Sequence, residues 1–111
     1  VQSMRRSVDN PWLRFFLFFD PALALRQVTV PALALFGELD LQVLAATNEP
    51  AVVNALKEAG NTDITSKVFP SANHLFQQAK TGSNSEYATL PAEFVPGFLD
   101  TISNWILARV R

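Results

Sequence analysis

Two side chains in this sequence are suited to acid–base chemistry, His74 and Asp40. His74 is the only histidine among the 111 residues, and it follows the turn-forming stretch Pro70-Ser71-Ala72-Asn73. Asp40 ends the turn-forming stretch Gly37-Glu38-Leu39-Asp40, 34 residues earlier. A histidine can act as a general base, and a carboxylate that bonds one ring nitrogen orients the imidazole for that task. Each residue also has a simpler interpretation, because a loop histidine can bond the backbone and an aspartate can cap a turn or a helix.

The segments that precede these two residues have the patterns of β-strands. Residues 28–36 are extended in pattern and continuously apolar in their second half, which is typical of a strand buried on both faces. Residues 63–69 alternate well enough to predict a second strand. With a helix between them, residues 28–76 form a strand–helix–strand unit, whose two strands are expected to be parallel. Asp40 and His74 then follow the carboxyl ends of both strands, where open α/β sheets hold their sites.

Helices account for most of the remaining chain. Between the strands, residues 48–59 read as a helix with Thr47 as its N-cap, Pro50 in its first turn and Gly60-Asn61 at its end. The other predicted elements are a helical segment at 11–26 broken by Asp20-Pro21, a polar surface loop at 77–93, and a terminal helix at 96–110 opened by Pro96.

The order of these motifs resembles the C-terminal part of serine hydrolases with the α/β-hydrolase fold, and most closely the bacterial esterase and dipeptidyl-peptidase-like group. The resemblance covers residues 10–110. It depends on four motifs and the terminal amphipathic helix: Asp20-Pro21 with Val30-Pro31-Ala32-Leu33-Ala34-Leu35, Phe36-Gly37-Glu38-Leu39-Asp40-Leu41-Gln42-Val43, Ala72-Asn73-His74-Leu75-Phe76, and Lys80-Thr81-Gly82 with Glu86-Tyr87.

The resemblance implies that Asp40 is the acid and His74 the base of a catalytic triad in the chain order Ser, Asp, His. It implies hydrolysis of carboxylesters or peptides, without a cofactor. The sequence departs from the family because none of its seven serines lies in a Gly-x-Ser-x-Gly elbow. The elbow, the oxyanion-hole loop and most of the sheet are expected to lie outside the chain. Without a nucleophile or oxyanion donors, we expect no hydrolysis from this chain alone.

Composition excludes several classes of site. The chain has no cysteine and a formal net charge of −1, with 9 basic and 10 acidic residues. Thiol chemistry and cysteine-based metal sites are excluded, a metal site is not expected around one histidine, and nucleic acid is not an expected partner. We expect no membrane span, since no window approaches ~18 apolar residues, and no signal peptide, since no apolar run follows Arg5 and Arg6. The sequence does not indicate a cellular location.

A high apolar content raises the question of what covers this chain. Hydrophobic residues make up 49% of the sequence, and charged residues only 17%. The aromatic residues of 11–19 form a stripe at helical spacing that is expected to be an interface: Trp12, Phe15, Phe16 and Phe19. We expect a single partial α/β domain over 1–111, with short parallel strands flanked by helices. Its sheet would be completed by another chain, either an N-terminal hydrolase half or a second copy.

Three interpretations of function remain open from sequence. The chain is an incomplete part of a serine hydrolase, or a free-standing oligomer derived from one with a binding role or no selected function, or an unrelated α/β binding module. A distance between Asp40 and His74 beyond hydrogen-bond reach would favour the third.

Overall fold

A computed structural model describes residues 10–110 of the chain, apart from the side chains of residues 15–18. In this part the elements follow in the order α1 (Pro11–Phe18), α2 (Pro21–Leu25), β1 (Ala32–Gly37), α3 (Ala45–Glu58), β2 (Ile64–Phe69), a 3-10 helix (Asn84–Thr89) and α4 (Phe98–Leu107). The strands pair in parallel from Ala32 opposite Ile64 to Gly37 opposite Phe69. The prediction of a mixed α/β chain with a parallel strand pair is confirmed, and both strands end at the same edge of the sheet.

The first strand is shorter than its sequence pattern predicts. Residues 28–31 lie outside β1, although the extended pattern begins at Val28. The buried side chain of Asn61 donates through Nδ2 to the carbonyl oxygens of Val28 (3.1 Å) and Val30 (2.7 Å). Pro31 has no N–H to give to a strand ladder. A side chain therefore satisfies the backbone of this segment, and regular pairing starts only at Ala32.

The crossover helix α3 begins three residues earlier than predicted. Thr47 lies inside the helix and does not cap it, because the helix starts at Ala45 after Leu44, which makes no side-chain cap. Pro50 is therefore in the helix interior and not in the first turn. The predicted end is confirmed. Gly60 has a left-handed φ of 81°. The backbone N–H of Asn61 donates to the carbonyl oxygen of Leu56, so the helix ends in a Schellman motif.

Helices α3 and α4 lie on opposite faces of the sheet. Alternate residues of β2 contact α4: Thr65 accepts a hydrogen bond from Trp105 Nε1 (3.2 Å), and the Phe69 ring lies 5.6 Å from that of Phe98. The intervening Ser66 hydroxyl donates to Glu49 of α3. Because successive side chains of a strand point to opposite faces, the sheet has one helix on each side.

The terminal helix α4 occupies less of the chain than the predicted 96–110. It starts at Phe98, since Gly97 has φ 84° and Pro96 lies before this left-handed residue. No residue of α4 is fully buried, and Leu99 and Leu107 are exposed. The 77–93 segment is also more ordered than a plain surface loop, because it contains the 3-10 helix and a buried glycine, Gly82.

The small core lies beneath the loop that follows β2. Phe69, Ala72 and Val95 are buried together, and Phe76 and Phe98 pack against them with stacked rings 4.4 Å apart. The Val95 amide also donates to the carbonyl oxygen of Phe76 (2.8 Å). These contacts hold the residues on both sides of His74 against the sheet.

Candidate active site

Asp40 and His74 are joined by a direct hydrogen bond. His74 Nδ1 lies 2.9 Å from Asp40 Oδ2. The Asp40 side chain is 8% exposed and that of His74 36%, so the carboxylate is enclosed while the imidazole reaches the surface. The separation beyond hydrogen-bond reach that would favour an unrelated binding module is therefore not observed.

Asp40 also has the turn-forming role that its sequence context allows. Its Oδ1 accepts the backbone N–H groups of Gln42 (2.8 Å) and Val43 (2.9 Å), just before α3. Burial raises the pKa of this carboxyl group, but the N–H of Val43, the bond from His74 and the N–H of Gln42 together lower it below its ordinary value. Asp40 is therefore held as an anion. One oxygen is fixed by the backbone and the other faces His74.

The orientation of the imidazole follows from that charge. An ionised carboxylate only accepts hydrogen bonds, so Nδ1 of a neutral His74 carries the proton and Nε2 presents its lone pair. No hydrogen bond within residues 10–110 occupies Nε2. Nε2 is therefore the ring nitrogen that could accept a proton from a reacting group.

Backbone bonds between the two loops bring the pair together. The Leu39 amide donates to the Ala72 carbonyl (2.8 Å), and the Glu38 amide donates to the Phe69 carbonyl (3.0 Å). Gly37 lets the loops approach, since a Cβ there would stand 2.6 Å from the carbonyl oxygens of both Ala72 and Asn73. A side chain at this position would push the loop of His74 away from that of Asp40.

A third loop packs against the one that carries Asp40. The carboxylate of Glu86 accepts the backbone N–H groups of Lys80, Thr81 and Gly82, the last at 2.7 Å. Burial raises the pKa of Glu86, but these N–H groups outweigh it and lower the pKa below its ordinary value. The ionised Glu86 closes this loop, and Gly82 at its tip lies against the backbone of Leu39.

The described serines do not complete a triad with His74. Ser66 bonds Glu49, and the hydroxyls of Ser83 and Ser85 bond each other (2.9 Å). Of the five serines within residues 10–110, at positions 66, 71, 83, 85 and 103, none hydrogen-bonds His74. Ser3 and Ser7 lie outside the described residues.

Three residues that shape this site, Gly37, Asn73 and Gly82, lie in the quoted motifs, but their sequence context predicts no such role. At both glycines the backbone of another loop lies too close to leave room for a side chain, and Asn73 is completely buried. Asn73 is in a Pro-Ser-Ala-Asn stretch that reads as an ordinary turn, and only its position directly before the histidine sets it apart.

The predicted aromatic interface is only partly described. Trp12 is 68% exposed and Phe19 46% exposed. The side chains of Phe15 and Phe16 lie outside the described part of the structure. Asn10 caps this helix, as the sequence predicts, by accepting the N–H groups of Trp12 (2.9 Å) and Leu13 (3.2 Å).

Within residues 10–110, no helix is both long and apolar enough to cross a membrane. In the same part of the chain, no three His, Asp or Glu side chains gather to hold a metal ion. No protein-family model, curated protein or solved structure matches the chain significantly.

Proposed function

We propose that this chain supplies the acid and the base of a serine-hydrolase site whose nucleophile comes from another polypeptide segment. The observation that carries the proposal is the 2.9 Å contact from His74 Nδ1 to Asp40 Oδ2, with Nε2 directed away from the acid. Asp40 holds the ring in the Nδ1-protonated tautomer. His74 Nε2 then takes the proton of a serine hydroxyl as that oxygen attacks an ester or amide carbonyl.

Charge balance fits this role for Asp40. The imidazole becomes positively charged when it accepts the serine proton, and the adjacent anion stabilises that charge. The leaving group takes the same proton from Nε2 when the acyl intermediate forms, and water repeats the cycle in deacylation. Asp40 stays ionised throughout, which fits a carboxyl group whose pKa the backbone N–H groups of Gln42 and Val43 help to lower.

The exposed apolar surface supports the presence of another polypeptide segment that covers it. Large hydrophobic side chains are exposed on loop and helix segments alike, among them Val30, Leu41, Leu44, Leu75, Leu99 and Leu107. Two parallel strands rarely form a stable sheet alone. The remainder of a hydrolase domain would cover these residues and supply the serine.

The test begins with the coding sequence before Val1. An in-frame Gly-x-Ser-x-Gly segment, expressed together with this chain, is expected to hydrolyse an activated ester. His74→Ala should lower kcat by about 10⁶-fold, and Asp40→Asn should lower it by about 10⁴-fold. Asp100→Asn, an exposed carboxylate on α4, is the matched control and should leave the rate unchanged.

Two results would contradict the proposal. One is a stop codon and ribosome site directly upstream together with a stable dimer in light scattering, which would favour a free-standing oligomer. The other is ester hydrolysis by the chain alone that His74→Ala abolishes, which would require a nucleophile among its own groups.

A further inference from the structure

The residue before the candidate base is the most enclosed polar residue of the loop. Asn73 is 0% exposed. Its Oδ1 accepts the backbone N–H groups of Leu75 (3.0 Å) and Gln77 (2.9 Å), and its Nδ2 donates to Gln77 Oε1 (3.1 Å). A buried amide is costly unless it is bonded, so these three contacts explain how the loop can enclose it.

The backbone of Asn73 also makes two hydrogen bonds within this loop. Its own N–H donates to the Gln77 carbonyl (3.1 Å), and its carbonyl accepts the Phe76 N–H (3.0 Å). Phe76 has a left-handed φ of 60°, which costs energy for a residue with a side chain. The bonds to Asn73 hold residues 73–77 in this tight path, with His74 in its first half.

We propose that Asn73 is the positioning residue for His74. Its carboxamide ties the residue before the histidine to the backbone N–H groups of Leu75 and Gln77 after it, so that Nδ1 meets the Asp40 carboxylate. Asn73 does not reach the reacting atoms, and its catalytic meaning rests on the proposed function of the Asp40–His74 pair. A small displacement of a catalytic group can lower a rate by about 10²-fold, so an anchor of this kind has a measurable effect.

Asn61 provides a matched control. It is also a buried asparagine, with Nδ2 bonded to two backbone carbonyls and Oδ1 accepting the Asp63 N–H (2.9 Å). It lies before β2, while Asn73 lies after it, so it anchors the opposite end of the sheet. Removing either carboxamide breaks a similar set of bonds, but only Asn73 contacts the loop of His74.

The experiment measures the tautomer of the neutral His74 ring by ¹⁵N NMR. Since His74 is the only histidine, its ring signals need no assignment. The unmodified chain is expected to show mainly the Nδ1-protonated ring. Asn73→Ala should lose that preference, while Asn61→Ala should keep it. A folded Asn73→Ala variant with the original tautomer ratio would overturn the proposal.

A second variant covers the case in which Asn73→Ala does not fold. The shorter hydroxyl of Asn73→Ser can bond the near N–H of Leu75 but does not reach Gln77. We expect a reduced fraction of the Nδ1-protonated ring, and an unchanged fraction would overturn the proposal.

The tautomer measurement needs neither nucleophile nor substrate, so it is independent of the proposed function. In the nucleophile-bearing protein, Asn73→Ala should lower kcat by about 10- to 100-fold with little change in KM. A tautomer change without any hydrolysis that depends on His74 would refute the proposed function and leave the positioning role standing.

Discussion

Gly82 lies against the backbone of Leu39, the residue before Asp40. A Cβ built on Gly82 would stand 1.8 Å from the Leu39 carbonyl oxygen, closer than any two such atoms can approach. The loop closed by Glu86 is therefore pressed onto the loop of the candidate acid. The 77–93 segment, which reads as a polar surface loop, supports the site from one side.

Gly82→Ala should destabilise the protein by about 3 kcal/mol or more. A side chain with φ near 79° costs about 1–2 kcal/mol, and the clash with Leu39 adds to that. Gly60→Ala is the matched control, because Gly60 has φ 81° but no atom within 4 Å of its added Cβ. Urea unfolding of both variants measures the difference, which we expect to be about 2 kcal/mol. Equal losses would mean that the two loops do not touch in solution.

The contribution of Asp40 to stability should disappear in acid. Its pKa is lower in the folded chain than in the unfolded chain, where an aspartate titrates near ~3.9. Folding is then favoured by ionised Asp40 above that value, and the benefit is lost as the pH falls through the folded pKa. The difference in unfolding free energy between the unmodified chain and Asp40→Asn should therefore be largest near neutral pH and shrink below pH ~4.

Urea unfolding at several pH values measures this difference. Asp63 and Glu86 also have lowered pKa values, but they are present in both proteins, so their effects cancel in the comparison. Asp100→Asn controls for the loss of one surface charge and should change stability by no more than about 0.5 kcal/mol. A difference for Asp40→Asn that does not change with pH would contradict the lowered pKa.

Phe69→Ala should be the most damaging of the core substitutions. Phe69 is 2% exposed, and its ring packs edge-on against Phe76 at 6.0 Å and near Phe98 at 5.6 Å. Truncating a buried phenylalanine costs about 3–5 kcal/mol. Phe94→Ala, at an exposed ring 4.9 Å from Phe98, is the control and should cost no more than about 1 kcal/mol.

Thermal unfolding followed by circular dichroism compares the two variants. Because Phe69 supports the loop of His74, Phe69→Ala should also weaken the Asp40 contact, which the ring tautomer of His74 reports. Similar losses for Phe69→Ala and Phe94→Ala would show that the cluster does not form a core in solution.

The order and type of the main elements could be predicted from local patterns. The apolar run at 32–36 and the alternation at 63–69 each correspond to a strand, and Asn10, Asp20 and Gly60 mark helix ends through their side-chain or backbone chemistry. Boundaries were less predictable where a distant group intervened. The Asn61 side chain bonds the backbone of residues 28–31, which therefore lie outside β1. Helix α3 starts at Ala45, before Thr47 and soon after a turn that the Asp40 side chain stabilises.

The sequence by itself determined which groups are available for chemistry: one histidine, no cysteine, and an aspartate after an apolar strand. It also determined the strand–helix–strand order that sends Asp40 and His74 to one edge of a sheet. Only the tertiary structure decided that the two side chains meet at 2.9 Å, because that distance depends on Gly37 admitting the neighbouring loop and on Asn73 bonding the backbone around His74. Close approach and burial arise from residues far apart in the chain, and local pattern does not encode them.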